Sequence, residues 1–274
     1  MLKILLVMLL SFEGVAGFMP VATIQTQVES ERYYSANMYL GDSGEGTTYS
    51  VYIEFDSYTV TDTHLEKTFP NYENYSQENS CAPMAGALCV TYYDASLTNL
   101  IPNYEPGSYY NGQYYFRAQN STFYALKESL YTIMGTNTEN PGTSVSQFKS
   151  GLKTYVENQD YSIAYNNCGS TFNLNTAVNY FSLQRPIVLF LGSYIYHPAT
   201  SVTLTDTYLS MNARAKNVGH VVVAYGYREY HFYKDGEMFR TEKFLVTVFG
   251  DGTQGFLSVN DVSGIDEAYA INIY

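Results

Sequence analysis

Residues 76–94 read SQENSCAPMAGALCVTYYD, and the predicted fold and chemistry both start from this stretch. After Cys81 the apolar residues recur at helical spacing, with Ala85, Leu88 and Cys89 on one stripe. Pro83 is tolerated in a first helical turn, because its missing N–H would be unpaired there in any case. The pattern predicts a helix that begins directly behind the polar cluster and carries Cys81 at its N-terminus.

A cysteine at a helix N-terminus meets unsatisfied backbone N–H groups and the positive end of the helix dipole. Both favour the thiolate, so Cys81 is the candidate nucleophile; the alternative is a buried structural cysteine. Cys89, on the apolar stripe, is expected to be such a structural residue. Three cysteines, the third being Cys168, leave at least one thiol unpaired in a secreted chain.

A second candidate lies in NVGHVVVAYGY, residues 217–227, where His220 opens an apolar strand. Histidine is the usual general base near neutral pH. The separation of Cys81 and His220 falls in the ~130–150 range of papain-like enzymes. The alternative is a histidine at a strand edge with no catalytic role.

A third residue must hold the imidazole in its productive tautomer. Asp251 follows the strand after the histidine strand and stands between two glycines. A turn-forming aspartate before glycine is nearly as good an interpretation. Asn260 and Asp261 are weaker candidates for the same role.

Acyl transfer also needs donors for the oxyanion. The backbone N–H of Cys81 is one candidate, and the side chain of Gln77 is the other. Neither a metal nor a cofactor is expected, because Cys-x-x-Cys is missing from the sequence and the four histidines are scattered.

Periodicity predicts the rest of the chain. Asp235 and Gly236 lie in a turn that should join two long strands as a hairpin. Helices precede most strands, which is an α+β order. The predicted helices span 82–97, 121–135 (Ser121 as cap, Gly135 as stop), 143–159 and 173–184, and the predicted strands lie within 22–62, 161–167, 185–196, 219–233, 236–250, 255–261 and 268–274.

Composition limits the functional classes. The net charge of −12 and the lack of a basic stretch argue against a nucleic-acid partner. Residues 1–17, with Lys3 and a short apolar run, predict a signal peptide and a secreted or extracellular protein, the cell surface included; an uncleaved anchor is the alternative. No membrane span is expected after cleavage. Residues 18–66 then form an N-terminal β segment or pro-segment, and residues 67–274 the catalytic domain.

The motifs NSCAPMAGALCVTYYD, TSVSQFKSGLKTYV, LQRPIVLFL and GHVVVAYGY, with the final Gly-Asp-Gly turn, occur in an order that resembles papain-fold cysteine peptidases. They look closest to the bacterial branch of bacteriocin-processing peptidases, over about residues 70–274. The resemblance implies a papain-like fold, with a helical half followed by an antiparallel sheet half. It maps Cys81, His220 and Asp251 to the catalytic triad. The family's oxyanion glutamine lies where this chain has Tyr75, which leaves Gln77 as the nearest glutamine.

The sequence therefore predicts a peptidase that acts on a peptide or protein substrate through a Cys81 thioester. Two alternatives stay open. One is a papain-fold surface protein that has lost catalysis and binds a partner. The other is a cysteine-dependent amidase or acyltransferase that acts on non-peptide amides.

Overall fold

A computed structural model gives the structure of most of the chain. The described residues are 33–34, 48–72, 77–117, 121–169, 171–216, 219–250, 252–259 and 264–274. The signal peptide predicted over residues 1–17 lies outside them and stays a prediction.

Four α-helices lie in the described part of the chain. They are α1 (Cys81–Asp94), α2 (Ser121–Ile133), α3 (Val145–Glu157) and α4 (Leu174–Ser182), and a short 3-10 helix spans Ala199–Ser201. Fifteen strands occupy much of the same described part. They are β1 (Tyr33–Tyr34), β2 (Thr48–Glu54), β3 (Ser57–His64), β4 (Gly107–Tyr110), β5 (Gln113–Phe116), β6 (Thr143–Ser144), β7 (Ile163–Asn167), β8 (Ile187–Leu191), β9 (Tyr194–Pro198), β10 (Val202–Leu204), β11 (Tyr208–Lys216), β12 (His220–Lys234), β13 (Glu237–Val248), β14 (Gln254–Ser258) and β15 (Ile265–Ile273).

The predicted papain-like α+β fold, a helical half followed by an antiparallel sheet half, is wrong. Strands account for 43% of the structure and helices for 25%, and eleven of the described strands belong to one antiparallel sheet. The physical reason lies in β2 and β3, which precede every described helix and yet pair with β11 and β12. Because strands from both ends of the sequence share the sheet, the chain does not divide into a helical half and a sheet half.

The order of the main sheet is β10-β11-β9-β14-β13-β12-β8-β15-β7, with β2 beside β11 and β3 beside β12. Strand β12 is long enough to pair with two different strands along one of its edges. Its first part, from His220 to Ala224, pairs with β8, and its second part, from Gly226 to Tyr233, pairs with β3. β13 pairs along its other side.

Helix α1 is the central helix, and every one of its residues is buried. It packs against α2, α3 and β12. A helix with apolar residues on every face has to be surrounded in this way to remove them from water. The small residues Ala85, Gly86 and Ala87 let neighbouring elements approach closely: a Cβ on Gly86 would lie 3.1 Å from the Met134 side chain.

The helix ends follow local signals. The predicted stop at Gly135 is confirmed: α2 ends at Ile133, Gly135 has a φ of 62°, and the Thr136 N–H donates to the Tyr131 carbonyl at 3.2 Å. Ser144 caps α3 in a reciprocal box with Gln147. The predicted cap at Ser121 is instead the first residue of α2.

The predicted hairpin of two long strands is also confirmed. β12 and β13 pair in antiparallel register, from Val223 with Val248 to Lys234 with Glu237. Asp235 and Gly236 connect them with φ values of 52° and 79°, as a two-residue turn of type I′ requires.

The buried residues form two cores. The larger core surrounds α1 and includes Cys81, Val221 and Phe249. The smaller core lies under the far end of β12 and consists of Ile53, Phe55, Leu209, Met211, Tyr230, Phe232 and Phe244. Residues from β2 and from the junction with β3 help to form this second core, so the described part of the predicted N-terminal segment packs against the rest of the sheet. Its removal as a pro-segment stays a prediction.

Candidate active site

Cys81 is the first residue of α1, and its side chain lies in the larger core with 1% of the residue exposed. The preceding Ser80 hydroxyl donates to the Gln77 carbonyl at 2.8 Å instead of capping the helix, and the first turn contains no acidic side chain. The positive end of the dipole therefore acts on the thiol without a competing carboxylate in that turn.

The chain in front of Cys81 is anchored to the linker between α2 and α3. Asn79, with a φ of 56°, donates from Nδ2 to Asn137 Oδ1 at 2.9 Å. The same oxygen accepts the Gly142 N–H at 2.6 Å, and Asn137 Nδ2 donates to the Tyr131 hydroxyl at 2.6 Å. These bonds fix the turn from which Cys81 enters the helix.

His220 is the first residue of β12, pairs with Leu191 of β8, and is 3% exposed. Its ring stacks on two aromatic neighbours. The ring centroids of His220 and Tyr194 are 5.8 Å apart, and those of His220 and Phe249 are 6.3 Å apart with an interplanar angle of only 8°. These contacts restrict the rotation of the imidazole.

The elements that carry the two principal candidates are in contact, because α1 packs against β12. Each candidate is the first residue of its element, and the residue after His220, Val221, shares the larger core with Cys81. Both residues are almost fully buried, so a substrate needs some opening of this region to reach the thiol.

Asp251 lies outside the described residues, as do Asn260 and Asp261. The two residues next to Asp251 in the sequence, Gly250 and Gly252, are described. Each has a φ of 78°, a left-handed backbone that glycine adopts without strain. β13 pairs with β12, as predicted, and ends at Val248, before this turn. The role of Asp251 as the orienting residue stays a prediction.

Gln77 is half-buried and lies beside the helix start. Its Oε1 is buried and accepts no hydrogen bond from the described residues. Its role in the oxyanion hole stays a prediction, and Tyr75 lies outside the described residues.

The other two thiols lie in surroundings that disfavour the anion. Cys89, in the middle of α1, is completely buried, and burial raises the pKa of its thiol well above the usual range. Burial also raises the pKa of the Cys168 thiol to about 12, against a smaller opposing effect of a backbone hydrogen bond. Both are reduced thiols in the described structure. Burial of Cys89 is as predicted, and a structural role fits both residues.

Sequence reasoning missed three side chains that shape this region. Tyr194 and Phe249 hold the imidazole of His220, and Asn71 donates from Nδ2 to the Gly252 carbonyl at 2.8 Å. The first two belong to an aromatic-rich composition in which no single ring stands out. Asn71 and Gly252 are 181 residues apart, and no local pattern connects them.

Among the described residues, no cluster of histidine, cysteine and carboxylate side chains could hold a metal ion. Within the same ranges, no helix has the length and apolar character needed to cross a membrane.

Comparison of the chain with protein-family models, with curated proteins and with solved structures finds no match.

Proposed function

We propose that this protein is a secreted cysteine peptidase in which Cys81 is the nucleophile and His220 is its base. One observation carries the proposal: α1, which begins at Cys81, packs against β12, which begins at His220. A thiol at a helix N-terminus close to a histidine is the surrounding in which a thiolate forms near neutral pH. The high thiol pKa values of Cys89 and Cys168 leave Cys81 as the best nucleophile.

The reaction has two acyl-transfer steps. His220 takes the proton of the Cys81 thiol, and the sulfur attacks the scissile carbonyl carbon of the peptide. The C–N bond then breaks, the leaving amine takes the proton from His220, and a thioester remains on Cys81. Water, deprotonated by His220, attacks the thioester, which releases the carboxylic acid and restores the thiol.

Two further groups complete the proposed mechanism. Asp251 would accept a hydrogen bond from His220 and keep its ring in the productive tautomer. The Cys81 backbone N–H and the Gln77 side chain would donate to the oxyanion of each tetrahedral intermediate. The Tyr194 and Phe249 rings support the proposal, because they limit the imidazole to few orientations.

The experiment that tests this function combines covalent labelling with turnover. The mature protein is incubated with a peptidyl epoxide that reacts with cysteine peptidases, digested, and analysed by mass spectrometry. We expect the adduct on the peptide that contains Cys81, and we expect cleavage of members of a mixed synthetic peptide library. The matched control is Cys89→Ala, which removes a thiol from the same helix and should leave both results unchanged.

Other outcomes would point elsewhere. Labelling of Cys81 without cleavage of any peptide would favour an amidase or acyltransferase that acts on non-peptide amides. If the folded protein is not labelled and cleaves no peptide, the proposal is contradicted, and a binding protein without catalysis is favoured. The almost complete burial of Cys81 and His220 would then explain why the thiol does not react.

A further inference from the structure

The segment from Phe69 to Tyr72 is fixed to the larger core by its two aromatic residues. Phe69 stacks between Tyr92 of α1 and Tyr225 of β12, with ring centroids 5.4 Å and 5.6 Å away. Tyr72 packs edge-on against Phe123 of α2 at 4.4 Å. Both anchors are buried, so the backbone between them has little freedom.

Asn71 lies between these anchors and reaches in another direction, to the turn that connects β13 and β14. Its Nδ2 donates to the Gly252 carbonyl at 2.8 Å. Within the same turn, the Phe249 N–H donates to the Thr253 carbonyl at 3.2 Å, and the backbone at Gly250 is left-handed. Asn71 is therefore a clamp between a rigid segment and a glycine-rich turn.

The orientation of the Asn71 amide is chemically determined, because only its NH₂ group can face a carbonyl oxygen. Its Oδ1 then lies buried and accepts no hydrogen bond from the described residues. The described partner of the Asn71 side chain is therefore the Gly252 carbonyl of the β13–β14 turn.

The β13–β14 turn affects the proposed base because the residue at its start, Phe249, contacts His220. Phe249, at the start of the turn, stacks almost parallel to His220. Tyr194 stacks on Phe249 as well, with 6.3 Å between their ring centroids. A shift of the turn would therefore move the surroundings of the proposed base.

We infer that Asn71 is a positioning residue of the candidate active site, which holds the β13–β14 turn against His220 through the Gly252 carbonyl. The inference rests on the proposed function, because it assigns the clamp a purpose in tuning the Cys81–His220 pair. Asn71 acts on the reaction through the turn and through His220, and not by contact with the reacting atoms.

Two substitutions with different chemistry test the clamp. Asn71→Ala removes the donor at every pH. Asn71→Asp keeps the size and shape of the side chain. Its ionised carboxylate cannot donate to the Gly252 carbonyl oxygen and repels it, whereas the protonated carboxyl can donate to this oxygen again. We measure the rate of Cys81 alkylation by iodoacetamide and of hydrolysis of an accepted peptide, each divided by the wild-type rate, from about pH 8 to about pH 5.

The expected ratios differ between the variants. At pH 8 both should fall about 10- to 100-fold below wild type, the range that small misplacements of catalytic groups produce, with Asn71→Asp lower. As the pH falls, the ratio for Asn71→Asp should rise toward 1, while the ratio for Asn71→Ala stays flat. All measurements are made at a temperature where circular dichroism finds every protein folded. Under this condition, a merely structural role of Asn71 would not make the Asn71→Asp ratio rise as the pH falls.

The matched control is Asn212→Ala, which removes an amide that accepts a hydrogen bond from the Ser50 hydroxyl at 3.0 Å on β11, outside this turn. Its ratios should stay near 1. Wild-type ratios for both Asn71 variants, or ratios that do not change with pH for Asn71→Asp, would overturn the inference. If the wild-type protein cleaves no peptide, the proposed function fails, and the alkylation ratios alone still decide the role of Asn71.

Discussion

The two ends of helix α1 place opposite demands on an ionisable side chain. At the first residue, the Cys81 thiol meets the positive end of the helix dipole, with no acidic residue in the first turn. At the last residue, the Asp94 carboxyl meets the negative end, with no basic residue in the last turn. Burial raises the pKa of Asp94 to about 6, although its Oδ1 accepts the Ile101 N–H at 2.6 Å.

Burial is the cause of the raised pKa of Asp94, and the dipole acts in the same direction at that end of the helix, whereas at Cys81 the dipole acts in favour of an anion. Cys89 lies between the two ends, and there burial alone raises the pKa of the thiol. We therefore expect position along the helix to distinguish the proposed nucleophile, Cys81, from the buried thiol of Cys89.

Turnover should depend on the start of the helix and not on its middle. We expect Cys81→Ala to lower kcat/KM for an accepted peptide by about 10⁴-fold or more, because the nucleophile is lost. Cys89→Ala should keep the rate within about threefold and lower the free energy of unfolding by about 1 kcal/mol, because it removes a buried sulfur. Steady-state kinetics and urea unfolding measure both. Equal rate losses for the two variants would remove the distinction between these positions.

Reactivity toward a small alkylating reagent should rank the thiols in the same way. At pH 7 we expect iodoacetamide to modify Cys81 at least ~100-fold faster than Cys89 or Cys168, because only a thiolate reacts. All three thiols are buried, but Cys81 alone lies at the start of a helix, where the dipole favours the anion, whereas burial raises the thiol pKa of the other two. Mass spectrometry of timed digests gives the three rates. In protein unfolded by guanidinium the rates should become similar. Equal rates in the folded protein would contradict the assignment of Cys81.

The far end of the helix should appear in the pH dependence of stability. The pKa of Asp94 is raised to about 6 in the folded state, so the folded protein binds this proton more tightly than the unfolded chain. The resulting stabilisation is fully present below the ordinary value of about 3.9 and is lost as the pH rises through about 6.

Asp94→Asn keeps an oxygen for the Ile101 N–H and cannot ionise. Relative to wild type, we expect its urea midpoint to be higher at pH 8 than at pH 4, and the change to occur mainly between pH 4 and pH 6. A difference between the two proteins that is the same at all pH values would contradict the assigned pKa. Glu128→Gln on α2, which removes an exposed carboxylate, is the control.

Local signals decided which parts of the structure could be predicted. The start of α1 at Cys81, the stop at Gly135 and the turn at Asp235 and Gly236 each depend on neighbouring residues, and these were predicted correctly or within a few positions. The hairpin of β4 and β5 was missed, although Asn111 and Gly112 supply the turn signal with φ values of 48° and 80°.

Other features have no local signal. β2 joins β11 across more than half of the sequence, and a strand pattern alone does not name its partner. The same is true of the Asn71 bond to Gly252 and of the Tyr194 ring beside His220. The wrong fold class follows from this limit, because the assignment of β2 and β3 to the main sheet depends on contacts between distant residues.

The position of β8 in the sheet has a kinetic consequence. β8 lies between β12, which begins at His220, and β15, which pairs in turn with β7. Several other strands lie between these neighbours in the sequence, and such non-local pairing is slow to form. We therefore expect the strand that carries His220 to reach its final register late in folding, after α1 and its N-terminal thiol have formed. Intermediates on the folding pathway would then contain the nucleophile without its base, and would be inert toward other chains that are still unfolded.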